Sequence, residues 1–146
     1  MNRKRTIWLV ACLILTVAVL YFSMCNRKKE VITAVLPPLH LQGGSVMSFG
    51  EMTCKIWDND TEDGDTVKVF LDGALIKDTI ELLSQPLELH LGKLSKGKHL
   101  FVVAAISEGM SAPATASIGL NNGKDVREFI MNATRDTAAS WTIIIQ

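Results

Sequence analysis

Apolar and polar positions along this chain follow two regimes. Thr6 to Met24 form a run of 19 residues without a formal charge. As a helix rising about 1.5 Å per residue it would cover roughly 28 Å, close to the hydrocarbon thickness of a bilayer. Trp8, Tyr21 and Phe22 stand near its ends, where aromatic rings suit the membrane interface. The run is apolar all round and opens the chain, so it reads as a transmembrane or signal helix and not as a core helix.

From Val46 onward the period changes to two residues, the signature of strands with one buried face. Phe49, Met52, Cys54 and Ile56 predict one strand, and Val67, Val69 and Leu71 the next. Asp72-Gly73 then supplies a two-residue hairpin turn, because both turn positions need positive φ. Leu75 to Ile80 should return antiparallel, and Leu87, Leu89 and Leu91 alternate with Glu88 and His90. His99 to Ile106 is almost continuously apolar, as expected of a central strand covered on both faces. Ala114 to Leu120 predicts a further strand, and Asn122-Gly123 a second hairpin. Val126, Phe129, Ile130 and Ala133 have helical spacing, but the segment also fits a short strand at Glu128 to Asn132; the preceding turn and β neighbours favour the strand. Trp141, Ile143 and Ile145 form a closing strand.

The expected fold is therefore all-β: an antiparallel β-sandwich of seven or eight strands, immunoglobulin-like in size, behind the N-terminal helix. Three parts are expected: residues 1–25 as anchor or signal segment, 26–45 as tether, and 46–146 as the sandwich domain. Pro37-Pro38 would stiffen the tether and Gly43-Gly44 would free it, although Val31 to Leu36 are apolar enough to be a first strand instead.

The end of the apolar run leaves three fates open. It is an uncleaved anchor, a lipoprotein signal or a cleaved signal peptide. Cys25 is the candidate lipidation residue: Phe22-Ser23-Met24-Cys25 matches a lipobox at Ser23 and departs from it at Phe22 and Met24. Arg3, Lys4 and Arg5 oppose Arg27, Lys28 and Lys29 across the run, and the N-terminal amine tips the balance toward an exported C-terminal part. The expected location is a membrane-anchored domain on the extracytoplasmic side.

Charge narrows the partners. Residues 1–25 hold three basic and no acidic side chains, leaving 12 basic and 15 acidic, a net −3, in the remainder. No basic stripe with interleaved aromatics exists, which excludes nucleic acid as the expected partner. Cys12 lies in the apolar run and Cys25 at its end, so Cys54 is left without a partner inside the domain. It reads as a small buried hydrophobe, with a Cys25–Cys54 bridge as the alternative.

One loop stands out. Trp57-Asp58-Asn59-Asp60-Thr61-Glu62-Asp63-Gly64-Asp65 holds five acidic and no basic side chains between two apolar strands. Hard cations take several oxygen ligands at closely spaced positions, which makes Asp58, Asp60, Asp63 and Asp65 candidate calcium ligands. The spacing is not that of an EF-hand: with Gly64 in register, Phe70 falls where a bidentate Glu belongs. A solvated loop built on Asx turns is the competing reading.

Ile56-Trp57-Asp58-Asn59, Glu62-Asp63-Gly64-Asp65, Val67, Val69 and Leu71-Asp72-Gly73, followed by Ala104 to Gly109, Pro113 to Ala116 and Asn122-Gly123, resemble a β-sandwich module of secreted and lipoprotein-type envelope proteins of Bacteroidetes-like bacteria. The resemblance covers residues 46–146. It implies an envelope or surface accessory role and brings no catalytic residues with it.

No other motif carries chemistry. His40, His90 and His99 have no metal-ligand spacing and read as surface or edge residues. There is no nucleophile elbow, phosphate loop or dinucleotide fingerprint. The expected function is a non-catalytic, membrane-tethered interaction module, held by residues 6–24 and partnered by another envelope protein, with no small-molecule substrate. The alternative is a carbohydrate- or peptidoglycan-binding protein with a calcium-ordered acidic loop.

Overall fold

The computed structural model describes residues 36–146, which form strands, turns and loops with no helix among them. The strands are β1 (Leu39–Met47), β2 (Glu51–Asp58), β3 (Asp65–Leu71), β4 (Ala74–Glu81), β5 (Leu87–Lys93), β6 (Gly97–Glu108), β7 (Ala114–Asn121), β8 (Val126–Ala133) and β9 (Ala138–Ile145). They make a five-stranded sheet in the order β1-β9-β6-β3-β4 and a four-stranded sheet in the order β5-β2-β7-β8. All pairs are antiparallel except β1 with β9.

Alternation decides which side of each strand turns inward. Met52, Cys54 and Ile56 of β2 and Ile118 and Leu120 of β7 meet Val67 and Val69 of β3, Phe101 and Val103 of β6, and Ile143 and Ile145 of β9 in one buried core. Residues of both sheets share it, the arrangement of a β-sandwich. β6 is apolar on both faces for a reason: Phe101 and Val103 enter this core, while Val102 and Ala104 join Phe70 and Ala138 in a second cluster against which Leu36, Leu75 and Leu100 pack. Residues 126–133 are strand, as their neighbours predict. Cys54 is fully buried and unbridged, and burial pushes its thiol up to about 12, out of range for nucleophilic or redox chemistry at neutral pH.

Five details depart from the sequence pattern. The β1–β9 pair is parallel in a sandwich expected to be antiparallel. Phe49, expected in a strand with Met52, lies in the bend before β2. Nine strands form among the described residues instead of seven or eight. The additional one, β1, begins inside the stretch expected to be tether: 39–45 are strand, and Gly43-Gly44 lie within it. Gly43 is under the ring of Trp141, where an added Cβ would collide with the indole. The same indole stacks on Phe129 of β8, with centroids 4.0 Å apart, and donates to Ser45 Oγ at 3.0 Å. Asn122-Gly123 is not a two-residue hairpin. It opens a longer turn in which Asn122 Oδ1 accepts from the amides of Lys124 and Asp125. The apolar run at residues 6–24, Cys25 and residues 26–35 of the expected tether lie outside the described residues. Among the described residues no helix is long and apolar enough to cross a membrane.

Asp72-Gly73 does make the tight turn, with φ of 52° and 80°. It also corrects the reading of His99 as a surface residue. His99 is buried, its Nδ1 2.6 Å from Asp72 Oδ2 and its Nε2 2.8 Å from the Ser95 carbonyl. Both neighbours are acceptors, so the site favours the doubly protonated ring, which has an N–H for each. Asp72 first and the Ser95 carbonyl second raise its pKa, against the opposing effect of burial. A raised folded value means that the stabilisation is complete below the ordinary histidine range and is lost as pH rises through the folded value. Urea midpoints should therefore separate wild type from His99→Gln at pH near 6 and converge in alkaline buffer; a gap independent of pH would show that the ring acts by packing alone.

Candidate metal centre

Six of the eight strand connections pass from one sheet to the other. Two of them are neighbours. β3 pairs with β6 and β2 pairs with β7, so the β2–β3 connection runs beside the β6–β7 connection at one corner of the sandwich. The register brings Asp58 opposite Ala116 and Asp65 opposite Glu108. The acidic loop thus lies against residues 109–113, a juxtaposition that no local pattern in the sequence announces.

Each of three carboxylates there is held by backbone amides through one oxygen. Asp58 Oδ1 accepts from Asp60 N at 2.8 Å, an Asx turn that ends β2. Asp63 Oδ2 accepts from Met110 N and Ser111 N at 3.1 and 3.0 Å, which fastens the acidic loop to its neighbour. Asp65 Oδ2 accepts from Thr115 N at 2.9 Å. The other oxygen of each, Asp58 Oδ2, Asp63 Oδ1 and Asp65 Oδ1, is buried and has no hydrogen-bond partner. The three residues offer oxygens within 4.8 Å of one another. Asp58 and Asp65 are only 6% and 4% exposed.

Among the described residues no ion pair offsets this concentration. The ion pairs among the described residues join Lys68 to Asp78, His99 to Asp72 and Arg127 to Asp125, and none reaches the corner. Burial, above all, raises the pKa of Asp65; the charges of Asp63 and Asp58 add to this, and the Thr115 amide opposes it. Glu62 is turned elsewhere: its carboxylate accepts from the amide and hydroxyl of Ser84, bonds that lower its pKa.

Of the four aspartates expected to ligate a cation, Asp58, Asp63 and Asp65 converge. Asp60 does not join them. Its backbone caps Asp58 and its side chain is exposed at the rim of a cavity of about 400 Å³ that the three others also line. The sequence pattern does not single out Gly109, Met110 and Ser111. Gly109 has φ of 54° and so close an approach to Asp63 that a Cβ would overlap its carboxylate and carbonyl. The carbohydrate alternative calls for exposed aromatics beside this loop. Trp57 is half-buried across Gly119, and the exposed apolar side chain at the corner is Met110.

A second surface feature borders β1 and β8. Gln42, at a bulge in β1, donates through Nε2 to the Asn132 carbonyl at 2.7 Å and accepts through Oε1 from the Asn132 amide at 2.9 Å. Its amide thereby takes the place a neighbouring strand would occupy on the free edge of β8. Leu41 and Ile130 line the open groove beside it, about 710 Å³ in volume, together with His40 and Pro113. Comparison with known proteins adds nothing to this geometry: no family model, curated protein or solved structure matches the chain.

Proposed function

We propose that this chain is a non-catalytic interaction module, tethered to a membrane through residues 6–24 with its sandwich on the extracytoplasmic side. It would serve as an accessory protein of a cell envelope, as its resemblance to Bacteroidetes-type envelope modules implies, with Cys25 as the lipidation residue if the segment is processed. The observation that supports the reading is the distribution of exposed apolar side chains. Six of the eleven large ones among the described residues lie on three strands: Leu39, Leu41 and Val46 on β1, Val126 and Ile130 on β8, and Ile144 on β9. Scattered exposed apolar residues are ordinary, but two of these, Leu41 and Ile130, line a single groove, and a groove with exposed apolar walls suits a protein contact.

The occupant is another envelope protein that inserts apolar side chains into the β1–β8 groove. Strand addition at Asn132 is disfavoured, because Gln42 already satisfies its amide and carbonyl. A photo-crosslinking residue at Leu41 or Ile130, in the full chain in its native membrane, should capture one dominant protein. The same residue at Leu87, exposed on β5 at the far edge of the smaller sheet, should not. Equal capture from all three positions, or none from any, would remove the seam as a docking surface.

A further inference from the structure

We infer that Asp58, Asp63 and Asp65 bind one calcium ion at the corner where the β2–β3 and β6–β7 connections meet. An acidic loop alone would not carry this. What carries it is the combination of two carboxylates more than nine-tenths buried, each with an oxygen facing no donor, and a third that closes the set. Buried polar atoms are nearly always satisfied, and an orphan in a native fold calls for an unseen water or ion. Three orphans on three converging carboxyl groups, without an ion pair among the described residues to meet them, call for a cation.

The donor set identifies which cation. All three ligands are carboxylates, with no histidine or cysteine in the set, so a hard ion is favoured over zinc or copper. Calcium bonds oxygen at about 2.3–2.6 Å, so ligands across the ion stand up to about 5 Å apart, and oxygens within 4.8 Å of one another fit one such shell. Magnesium demands a tighter octahedron and parts with its water reluctantly. The three aspartates come from the end of β2, the loop and the start of β3, and the open cavity leaves water to complete the shell.

The amide-bound oxygens give the ion a mechanical role. Asp63 would hold calcium with one oxygen and the Met110 and Ser111 amides with the other, joining the two connections through a single side chain. Pro113 lines both this corner and the seam groove, so the ion would also set one wall of the docking surface. The two readings nonetheless fail separately, since calcium binding is measured on the purified chain and docking in the membrane.

The test is calorimetric titration of the full chain in mild detergent with calcium and, separately, magnesium, together with thermal melting in calcium or EDTA. One calcium should bind per chain, at lower affinity for magnesium, and the melting temperature should rise in calcium. Asp65→Asn should weaken binding by about tenfold or more while melting in EDTA no lower than wild type, because it removes a buried, crowded charge. Asp60→Asn, outside the trio, should bind as wild type does. Identical melting in calcium and EDTA, or binding that survives Asp65→Asn and Asp58→Asn, would overturn the assignment.

Discussion

Phe101→Ala should destabilise the sandwich by about 3–5 kcal/mol, more than truncation of a valine in the same core. Phe101 is fully buried on β6 at a point where both neighbouring strands meet it, paired with Leu71 of β3 and Trp141 of β9. Removing the ring leaves a cavity between the sheets, and flanking strands locked by ladder hydrogen bonds on both sides cannot close it. Domains of this size are stable by only about 5–15 kcal/mol, so the variant should sit near the edge of folding. Val102→Ala, one residue along and on the opposite face, removes less apolar volume from the smaller cluster and should cost less. Urea unfolding followed by circular dichroism separates the two: the midpoint should fall steeply for Phe101→Ala with the slope unchanged. A loss no larger than that of Val102→Ala would mean that the two sheets do not share the core.

How far such residues are visible in sequence depends on whether their role is local. Most strands from β2 onward follow from alternation, because one buried face imposes a period of two, while β8 needs its preceding turn and β neighbours to separate it from a helix. The Asp72-Gly73 turn follows from backbone conformation, and the doubly covered β6 from its unbroken apolar run. β1 escapes because its evidence is non-local. Its parallel partner β9 is about a hundred residues away along the chain, its register carries a bulge at Gln42, and its paired glycines look like a linker until Trp141 is placed beside Gly43. His99 escapes for the same reason, since its partner Asp72 stands 27 residues earlier, across paired strands.

The acidic corner is half legible. Its composition announces oxygen ligands, but which carboxylates converge depends on two crossovers running side by side. Spacing alone treats Asp60 and Asp63 alike. Only the fold turns Asp63 toward the Met110 and Ser111 amides and leaves Asp60 in solvent. Gly109 shows the same dependence: its identity is dictated by Asp63, 46 positions earlier, and by a positive φ that side chains disfavour.

Gly43→Val is the complementary case, in which adding atoms destroys stability. At an unobstructed strand position valine is favoured over glycine, by up to about 1 kcal/mol on host scales, so steric neutrality would show as a gain. At Gly43 the first added carbon already overlaps two carbons of the Trp141 ring. To admit the side chain, β1 must lift from β9 or the indole must swing out, losing its stack on Phe129 and its bond to Ser45. The expected loss is about 2–4 kcal/mol, combining overpacking with the broken aromatic pair. Gly44→Ala is the control, since a Cβ there meets the Thr142 carbonyl at 3.2 Å, tight but nearly tolerated. The decisive measurement is the double-mutant cycle with Trp141→Leu. If the indole is the obstacle, Gly43→Val in that background should cost less than about 1 kcal/mol, so the double variant should lose well under the sum of the two single losses, a large negative coupling. An undiminished cost would place the obstacle in the β1 backbone instead, and the closure of the β1–β8 seam would no longer rest on Trp141.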